Sequence, residues 1–384
     1  MNWDDIIVEA AATDTGMRRA NNQDSHTIVR ASKVETWRTR GHIFMVADGM
    51  GAHAVGELAS KLACDNIPHN YSKTKAGPPA EAITKAYKQV GGIIHGKAAA
   101  NRDFQGMGTT CSTLLLMPEG ALIAHVGDSR VYRIRHGRID QLSFDHSLAW
   151  ELVRRNHLSA EQATKAVPRN VITRSLGPDP SVEVDIEGPL PVEVGDVFLL
   201  CSDGLSGPVE DPELGAFGGN FHPRDACRYL LHLANLRGGH DNITVLIARI
   251  GPWVEPESDA DVPSLPEASS GSVKKSWVKG LSGLLAPKKK VEPVEINLYR
   301  SCDCPVSPEL VDRLTELVTR TQQTAVEQTW PVDWPSLAIL RRDVATNRAA
   351  GQLRRALKAI GEAVDLLGQA GRLHKKTSGS ANVG

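Results

Sequence analysis

Residues 44–53, FMVADGMGAH, are the stretch from which the rest of the chain is interpreted. The apolar run at 44–47 predicts a short buried strand, and it ends at Asp48, which is followed by Gly49. A carboxylate at the end of a buried strand, with a glycine that lets the backbone come close, suits a site for a hard cation. The same pattern is also typical of an ordinary turn, so this stretch alone leaves both interpretations open.

Three more carboxylates follow or precede predicted strands. Asp128 comes after the strand predicted at 121–126, Asp203 after the strand at 196–201, and Asp241 before the strand at 243–250. Strand ends can converge on one edge of a sheet, and clustered carboxylates repel each other unless a cation compensates them. Oxygen ligands favour magnesium or manganese, and no histidine and cysteine cluster has the spacing of a zinc site.

A polar loop after the first predicted strand, at 6–11, adds an arginine to this pattern. Arg19 lies near Asp24 in a run of turn-forming residues, and such a mixture can hold a phosphate beside a metal. Two hard cations with an arginine nearby form a typical two-metal site for the hydrolysis of phosphate esters.

Composition sets the broad class. The chain has 384 residues, enough for two or three domains, with 41% hydrophobic and 23% charged residues, which is ordinary for a soluble protein. The net charge of -1 gives no electrostatic reason to expect nucleic acid binding. We see no signal peptide and no run near the ~18 apolar residues of a membrane helix. We therefore expect a cytoplasmic protein whose six cysteines are reduced thiols.

The remaining elements follow from periodicity and turn signals. Helices are predicted at 53–71, 78–102 and around 226–233, and short strands at 27–30, 41–47, 111–117, 121–126, 130–134 and 182–186. We expect Trp37 in an exposed connection. Residues 145–180 lack regular periodicity and are expected to form a flap.

Seven motifs follow one another between residues 6 and 251, and they are TDTGMRRANNQDS, VADGMGAH, GMGTT, HVGDSR, VITRSLG, CSDGL and HDNIT. In their residues and their order they resemble the type 2C metal-dependent (PPM-type) protein serine/threonine phosphatase family. The resemblance implies an α+β fold, a four-layer αββα sandwich of two antiparallel sheets flanked by helices. In this chain a linker and a small all-α bundle would follow it.

The resemblance also implies roles for residues. Asp48 would bridge two ions, with the Gly49 carbonyl on one of them, and Asp203 and Asp241 would hold the other. Asp128 resembles the ligand of a third, weaker metal in bacterial members. Arg19 would hold the substrate phosphate. Asp24 would contact a metal-bound water.

The implied reaction is a one-step hydrolysis of phosphoserine or phosphothreonine by a water that bridges two ions, Mn2+ or Mg2+, in signalling. Two departures from the family matter. Gln23 stands where many members have glutamate, and Met50 stands where animal members often have a histidine that is proposed as general acid. His53 and His146 are candidates for protonating the leaving group, although both are more typical of structural histidines.

Residues 252–384 lie outside the resemblance. We divide the chain into a phosphatase domain (1–251), a flexible linker, first acidic and then basic (252–295), a three-helix interaction module (296–375) and a disordered tail (376–384). The basic part of the linker is more typical of a solvated segment than of a membrane anchor, and we expect no membrane contact. We expect a monomeric catalytic domain, a phosphoprotein substrate, and a protein partner at the C-terminal helices.

Two alternatives remain open. A pseudophosphatase that serves as a binding scaffold would have lost a metal aspartate, and none is missing here. A phosphatase of a small phosphate ester would keep the same site, because the flap at 145–180 carries no recognisable specificity signal.

Overall fold

The computed structural model describes residues 7–51, 55–74, 77–155, 162, 171–255 and 300–380. Its strands form two antiparallel sheets, one with the order β1-β11-β10-β7-β8-β12 and the other with the order β2-β3-β5-β6-β9, where the short β4 pairs with β3. In chain order the strands are β1 Ile7–Asp14, β2 Asp24–Val29, β3 His42–Met50, β4 Gly108–Thr109, β5 Cys111–Met117, β6 Gly120–Val126, β7 Arg130–Arg135, β8 Arg138–Gln141, β9 Asp185–Leu190, β10 Val197–Cys201, β11 Ile243–Ile250 and β12 Arg300–Asp303.

Helices cover both outer faces of these sheets. The helices α2 and α3 pack on the second sheet, and α6 and α7 pack on the first. In chain order the helices are α1 Val34–Arg40, α2 Val55–Lys73, α3 Pro79–Ala100, α4 Leu148–Arg154, α5 Asp203–Ser206, α6 Asp211–Asn220, α7 Pro223–Leu236, α8 Pro308–Glu327, α9 Trp334–Ala349 and α10 Leu353–Ser380.

The continuous apolar runs of the central strands explain this layering. Phe44 and Val46 on β3 face Leu114, Phe198 and Leu246 in a buried cluster between the two sheets. The alternate side chains of the same strands contact the helices on the outer faces, because successive residues of a strand point to opposite sides. The predicted four-layer αββα sandwich is therefore confirmed.

Strand β12 and helices α8, α9 and α10, here called the C-terminal cover, pack on the first sheet and its helices. β12 extends the first sheet by pairing with β8, and α10 lies along α7. The two helices approach closely because α10 has glycines at the crossing: a methyl group on Gly361 would come within 2.6 Å of the Tyr229 ring, and one on Gly368 would overlap His232. The cover and the sandwich share one buried apolar cluster.

Some local expectations were wrong. Trp37 is not in an exposed connection, since it lies on α1 with 2% of its surface exposed and belongs to the cluster between the sheets. The strand expected at 182–186 lies at 185–190, because its pairing with β6 selects the later residues. Residues 376–380, expected in a disordered tail, continue α10.

Several predictions concern residues outside the described ranges. These are the linker residues 256–295, His53, and residues 156–161 and 163–170 of the flap. Of the expected linker, residues 252–255 are described, and there Glu255 forms an ion pair with Lys358 of α10 at 2.7 Å. The three helices predicted for the module at 296–375 are present, and their role as an interaction module stays a prediction.

Candidate active site: an acidic edge beside an arginine

Five aspartates come together where strands of the two sheets end. This set, here called the acidic edge, consists of Asp24, Asp48, Asp128, Asp203 and Asp241. Asp24 and Asp48 are paired across β2 and β3, and the side chains of Asp48 and Asp203 lie within hydrogen-bond distance. The field of Asp128 and Asp241 also reaches Asp48. Every aspartate selected from the sequence therefore belongs to the same cluster.

Two threonine hydroxyls hold the backbone of Asp48 in place. Strand β3 continues through Gly49 to Met50, and the Asp48 N–H donates to Thr110 Oγ1 at 2.9 Å, while the Asp48 carbonyl accepts from the Thr109 hydroxyl at 2.9 Å. Gly49 packs so closely between the carbonyls of Gln23 and Gly56 that a side chain there would overlap the Gly56 carbonyl. The glycine is therefore required by close packing.

A serine hydroxyl links Asp24 to the strand end that carries Asp203. Asp203 is the first residue of the short helix α5, directly after Ser202. The Ser202 hydroxyl donates to Asp24 Oδ2 at 2.7 Å and accepts from the Thr244 N–H at 3.0 Å. These two bonds connect β2, β10 and β11, so the position of Asp24 depends on both sheets.

Arg19 reaches the acidic edge from the loop between β1 and β2. Its Nη2 donates to Asp241 Oδ2 at 2.7 Å, and the other oxygen, Asp241 Oδ1, accepts from the Asn242 N–H at 2.9 Å. The Arg19 side chain is 53% exposed and that of Asp241 is 38% exposed. The guanidinium therefore lies at the rim of the cluster, where an incoming anion can reach it.

Asp128 lies in the turn between β6 and β7, and the flap begins beside it. His146, considered from the sequence as a proton donor, is fully buried: its Nδ1 accepts from the Gly127 N–H at 3.0 Å, and its Nε2 pairs with Asp185 at 2.9 Å. Both ring nitrogens are engaged in these contacts. His146 therefore links the start of the flap to the turn that carries Asp128.

The electrostatics of the edge follow from burial and like charge. Burial, reinforced by the neighbouring carboxylates, raises the pKa of Asp48 and of Asp128 well above the usual range, and it raises the pKa of Asp203 as well. Burial raises the pKa of Asp24 to about 7, against the hydrogen bonds from Thr244 and Ser202. The bond from Asp241 raises the pKa of Arg19. Such a cluster favours any cation that binds it.

The oxygen ligands that the acidic edge offers fit hard divalent ions. All five are carboxylates, and Asp24 Oδ1 and Asp128 Oδ1 are buried without a hydrogen-bond partner in the described part of the chain, which is costly unless something binds them. Within the described ranges no three of the possible ligand side chains form a preformed metal cage. One of the five, Asp241, is turned to Arg19.

Sequence reasoning did not identify the polar residues that hold these aspartates. They are Ser202, Thr109, Thr110, Ser129 and Asn242. The Thr110 hydroxyl, for example, bonds the Ser129 hydroxyl at 2.8 Å and so joins the Asp48 strand to the Asp128 turn. The sequence carried a signal for these residues, because each lies within one of the motifs GMGTT, HVGDSR, CSDGL and HDNIT. Buried polar side chains beside a carboxylate indicate a supporting hydrogen-bond network.

The model of the protein phosphatase 2C family matches residues 17–234, which include Arg19 and four of the five aspartates. The chain belongs to the protein phosphatase 2C family. Serine/threonine phosphatase stp of Listeria monocytogenes is 34% identical over 240 residues, covering 61% of this chain and 92% of the relative. Protein phosphatase PhpP of Streptococcus pneumoniae is 32% identical over 254 residues, covering 65% and 98%.

Solved structures of this phosphatase family are also similar. The serine/threonine phosphatase of S. agalactiae aligns with a TM-score of 0.58 and 30% identity, covering 64% of this chain and 99% of that one. The catalytic domain of PstP, solved in complex with two manganese ions, aligns with a TM-score of 0.54 and 30% identity over 64% of this chain and 99% of that one. In the described ranges of the present family member, no helix combines the length and apolar character needed to cross a bilayer.

Proposed function

We propose that this protein is a protein serine/threonine phosphatase that hydrolyses phosphoserine and phosphothreonine with two divalent ions, Mn2+ or Mg2+, in signalling. Asp48 and the Gly49 carbonyl, together with Asp203 and Asp241, would hold the two ions, and Asp128 would take part in binding a third. The stp and PhpP relatives are named as phosphatases, and the PstP domain was solved with two manganese ions.

One observation carries the proposal. A half-exposed arginine, Arg19, lies 2.7 Å from Asp241 at the rim of a cluster of buried carboxylates. A guanidinium binds phosphate oxygens in a bidentate manner, whereas the acidic cluster would by itself repel a phosphate. An arginine beside cation ligands fits a substrate whose anionic phosphoryl group lies next to the ions.

The residues of the chain would divide the work as follows. Divalent ions, when bound, lower the pKa of water and offset negative charge on phosphoryl oxygens. Arg19 would turn the phosphoryl group towards the edge and stabilise its charge in the transition state. Asp24, held by Ser202, would accept a hydrogen bond from the attacking water and orient it. Gln23 can orient a water but cannot take its proton. Met50 stands where a histidine would donate a proton to the leaving oxygen, so that oxygen would be protonated from solvent.

The alternatives are weaker on specific grounds. A pseudophosphatase scaffold would not need five carboxylates and an arginine kept together. A phosphatase of small esters remains an outcome of the experiment. We place the enzyme in the cytoplasm, as expected for six cysteines that are all unpaired. We propose that its catalytic domain is monomeric and that the C-terminal helices contact a protein partner.

The test measures phosphate release from a phosphothreonine peptide with manganese, with a chelator as control. The same peptide carrying phosphotyrosine and a small aryl phosphate serve as matched substrates. We expect manganese-dependent release from the phosphothreonine peptide with a higher kcat/KM than from the other two. No release in manganese or magnesium contradicts the enzyme proposal, and a preference for the small ester contradicts the protein substrate.

A further inference from the structure

The loop that carries Arg19 is attached to the sandwich by hydrogen bonds of its backbone. The N–H groups of Met17 and Arg18 donate to the Gly239 carbonyl at 2.7 and 3.1 Å. The Asn242 side chain donates to two carbonyls of the loop, at residues 15 and 21. Because Arg19 is 53% exposed and its guanidinium bonds Asp241, its direction depends on that bond and on how firmly this backbone is held.

A further attachment comes from the C-terminal cover. Arg372 on α10 forms an ion pair with Asp14 Oδ2, where the loop begins. Lys375, one turn later, donates from Nζ to the Gly16 carbonyl at 3.1 Å. A residue of the last helix is thereby in direct contact with the loop that leads to Arg19.

This ion pair differs from an ordinary surface pair. The Asp14 side chain is only 2% exposed, and its other oxygen, Oδ1, accepts from the Gly16 N–H at 2.8 Å and from Asn235 Nδ2 at 3.2 Å. A buried carboxylate that loses its cationic partner is strongly unfavourable, whereas an exposed pair contributes little. Arg372, whose own side chain is 39% exposed, is therefore the cationic partner of a buried carboxylate on which the turn at Gly16 is built.

The end of α10 that presents Arg372 is itself held. His374 stacks on Trp330 with ring centroids 6.1 Å apart, and a methyl group on Gly371 would come within 2.8 Å of the same indole. One turn earlier, Gly368 packs against His232 of α7. These contacts fix the helix on both sides of Arg372.

We propose that Arg372 is a positioning residue for Arg19, so that the C-terminal cover, outside the family-matched residues, sets how well the site binds a phosphoryl group. The inference rests on the proposed function, because Arg19 is taken as the phosphate-binding arginine. Arg372 acts through the chain Arg372–Asp14–loop–Arg19 and does not touch the substrate. Loosening the loop lets Arg19 sample directions that miss the phosphate, which weakens binding without changing the ion ligands.

The experiment compares Arg372→Met, which keeps the aliphatic stem and removes the charge, with Arg372→Lys, which keeps a cation. For Arg372→Met we expect KM for the phosphothreonine peptide to rise about fivefold, with kcat and bound manganese close to wild type. Arg372→Lys should recover most of the loss. The matched control is Arg348→Ala, which breaks another arginine–aspartate pair of the cover, to Asp312 at 2.9 Å, and should leave KM unchanged.

The double variant Arg19→Ala/Arg372→Met decides whether Arg372 acts through Arg19. We expect its KM to equal that of Arg19→Ala alone, because a loop without its arginine has nothing left to position. An additional rise in KM overturns the proposal, and so does an unchanged KM in Arg372→Met. An equal loss in Arg348→Ala also overturns it, since the effect would then be general destabilisation.

Hydrogen exchange on the metal-free protein gives a readout that does not depend on activity. The amides of residues 16–18 should exchange faster in Arg372→Met than in wild type or Arg348→Ala. If wild type lacks manganese-dependent hydrolysis, the proposed function fails, and exchange still decides whether Arg372 holds the loop. Unchanged exchange of these amides overturns the inference even if the enzyme is active.

Discussion

The acidic edge and the C-terminal cover use buried residues in opposite ways. The acidic edge brings buried carboxylates together. Burial and mutual repulsion raise their pKa values, and this arrangement lowers the stability of the folded protein. The cover buries Leu357, Ile360 and Val364 completely in the cluster it shares with the sandwich, which stabilises the fold. Changes at the edge should therefore alter chemistry, and changes to the buried apolar residues of the cover should alter stability.

The largest effect is expected at the centre of the edge. Asp48→Asn removes charge where both ions are proposed to bind and should lower kcat by several orders of magnitude. The same change relieves repulsion, so the metal-free variant should unfold at the same urea concentration as wild type or at a higher one. Phosphatase kinetics and urea unfolding of one preparation measure both quantities.

The control for that variant is Asp65→Asn, an exposed aspartate on α2, which should leave rate and stability unchanged. Activity of Asp48→Asn within tenfold of wild type would refute the assigned role. A large loss of stability in the metal-free variant would show that the edge is not held under repulsion, and the contrast between the two regions would then be wrong.

Removal of the cover should have the next largest effect. Truncation after Gly251 exposes the face of α7 that carries Tyr229 and leaves β8 as an open sheet edge. We expect a loss of several kcal/mol in the free energy of unfolding and a tendency to aggregate. Truncation after residue 380 is the control. An unchanged unfolding midpoint in the shorter form would mean that the cover folds apart from the sandwich.

A single methyl group tests the contact between the cover and the sandwich more gently. Gly368→Ala places a methyl group against the His232 ring, and we expect a loss of about 1–2 kcal/mol from overpacking. Gly96→Ala on α3 meets no atom of the described chain within 4 Å and should gain roughly 0.5–1 kcal/mol from helix propensity. Thermal or urea unfolding measures the stability of both variants. If both are more stable than wild type, α10 does not pack tightly on α7.

The smallest effect expected is a pH dependence of the same contact. Burial lowers the pKa of His232, with Arg228 and Arg372 acting in the same direction against Asp365 and Asp14. As the pH falls below the ordinary histidine value of about 6.5, the unfolded chain takes up the proton before the folded one. Stability contributed by neutral His232 is therefore present above that pH and is lost on acidification.

Urea unfolding of wild type and His232→Gln at pH 7 and at pH 5.5 measures this loss. The variant should be less stable at pH 7, because it gives up packing against Gly368, and should lose less between the two pH values. Equal losses in the two proteins would assign the acid sensitivity to other groups.

Local patterns in the sequence predicted much of the sandwich. The last strand was predicted at 243–250, where it lies, because a nearly continuous apolar run that follows Asp241-Asn242 depends only on neighbouring positions. Asp48, Asp128, Asp203 and Asp241 were selected because each stands beside a predicted strand. Arg19 and Asp24 were selected because they share a polar loop, and the resemblance to the family added the Gly49 carbonyl. Their roles as ligands and phosphate-binding group remain proposals, since an aspartate next to a strand has the same sequence pattern whether it caps a turn or binds an ion.

What the sequence determined by itself is therefore the set of strands, their terminal carboxylates and the three C-terminal helices. Only the tertiary structure decided that Trp37 is buried, that Ser202 reaches Asp24, and that Arg372 pairs with Asp14 at the far end of the chain. Periodicity shows which face of an element is apolar, but not which other element covers it. That choice depends on shape, as with Gly368 of α10 against His232 of α7, and on the pairing of buried charges between residues distant in sequence.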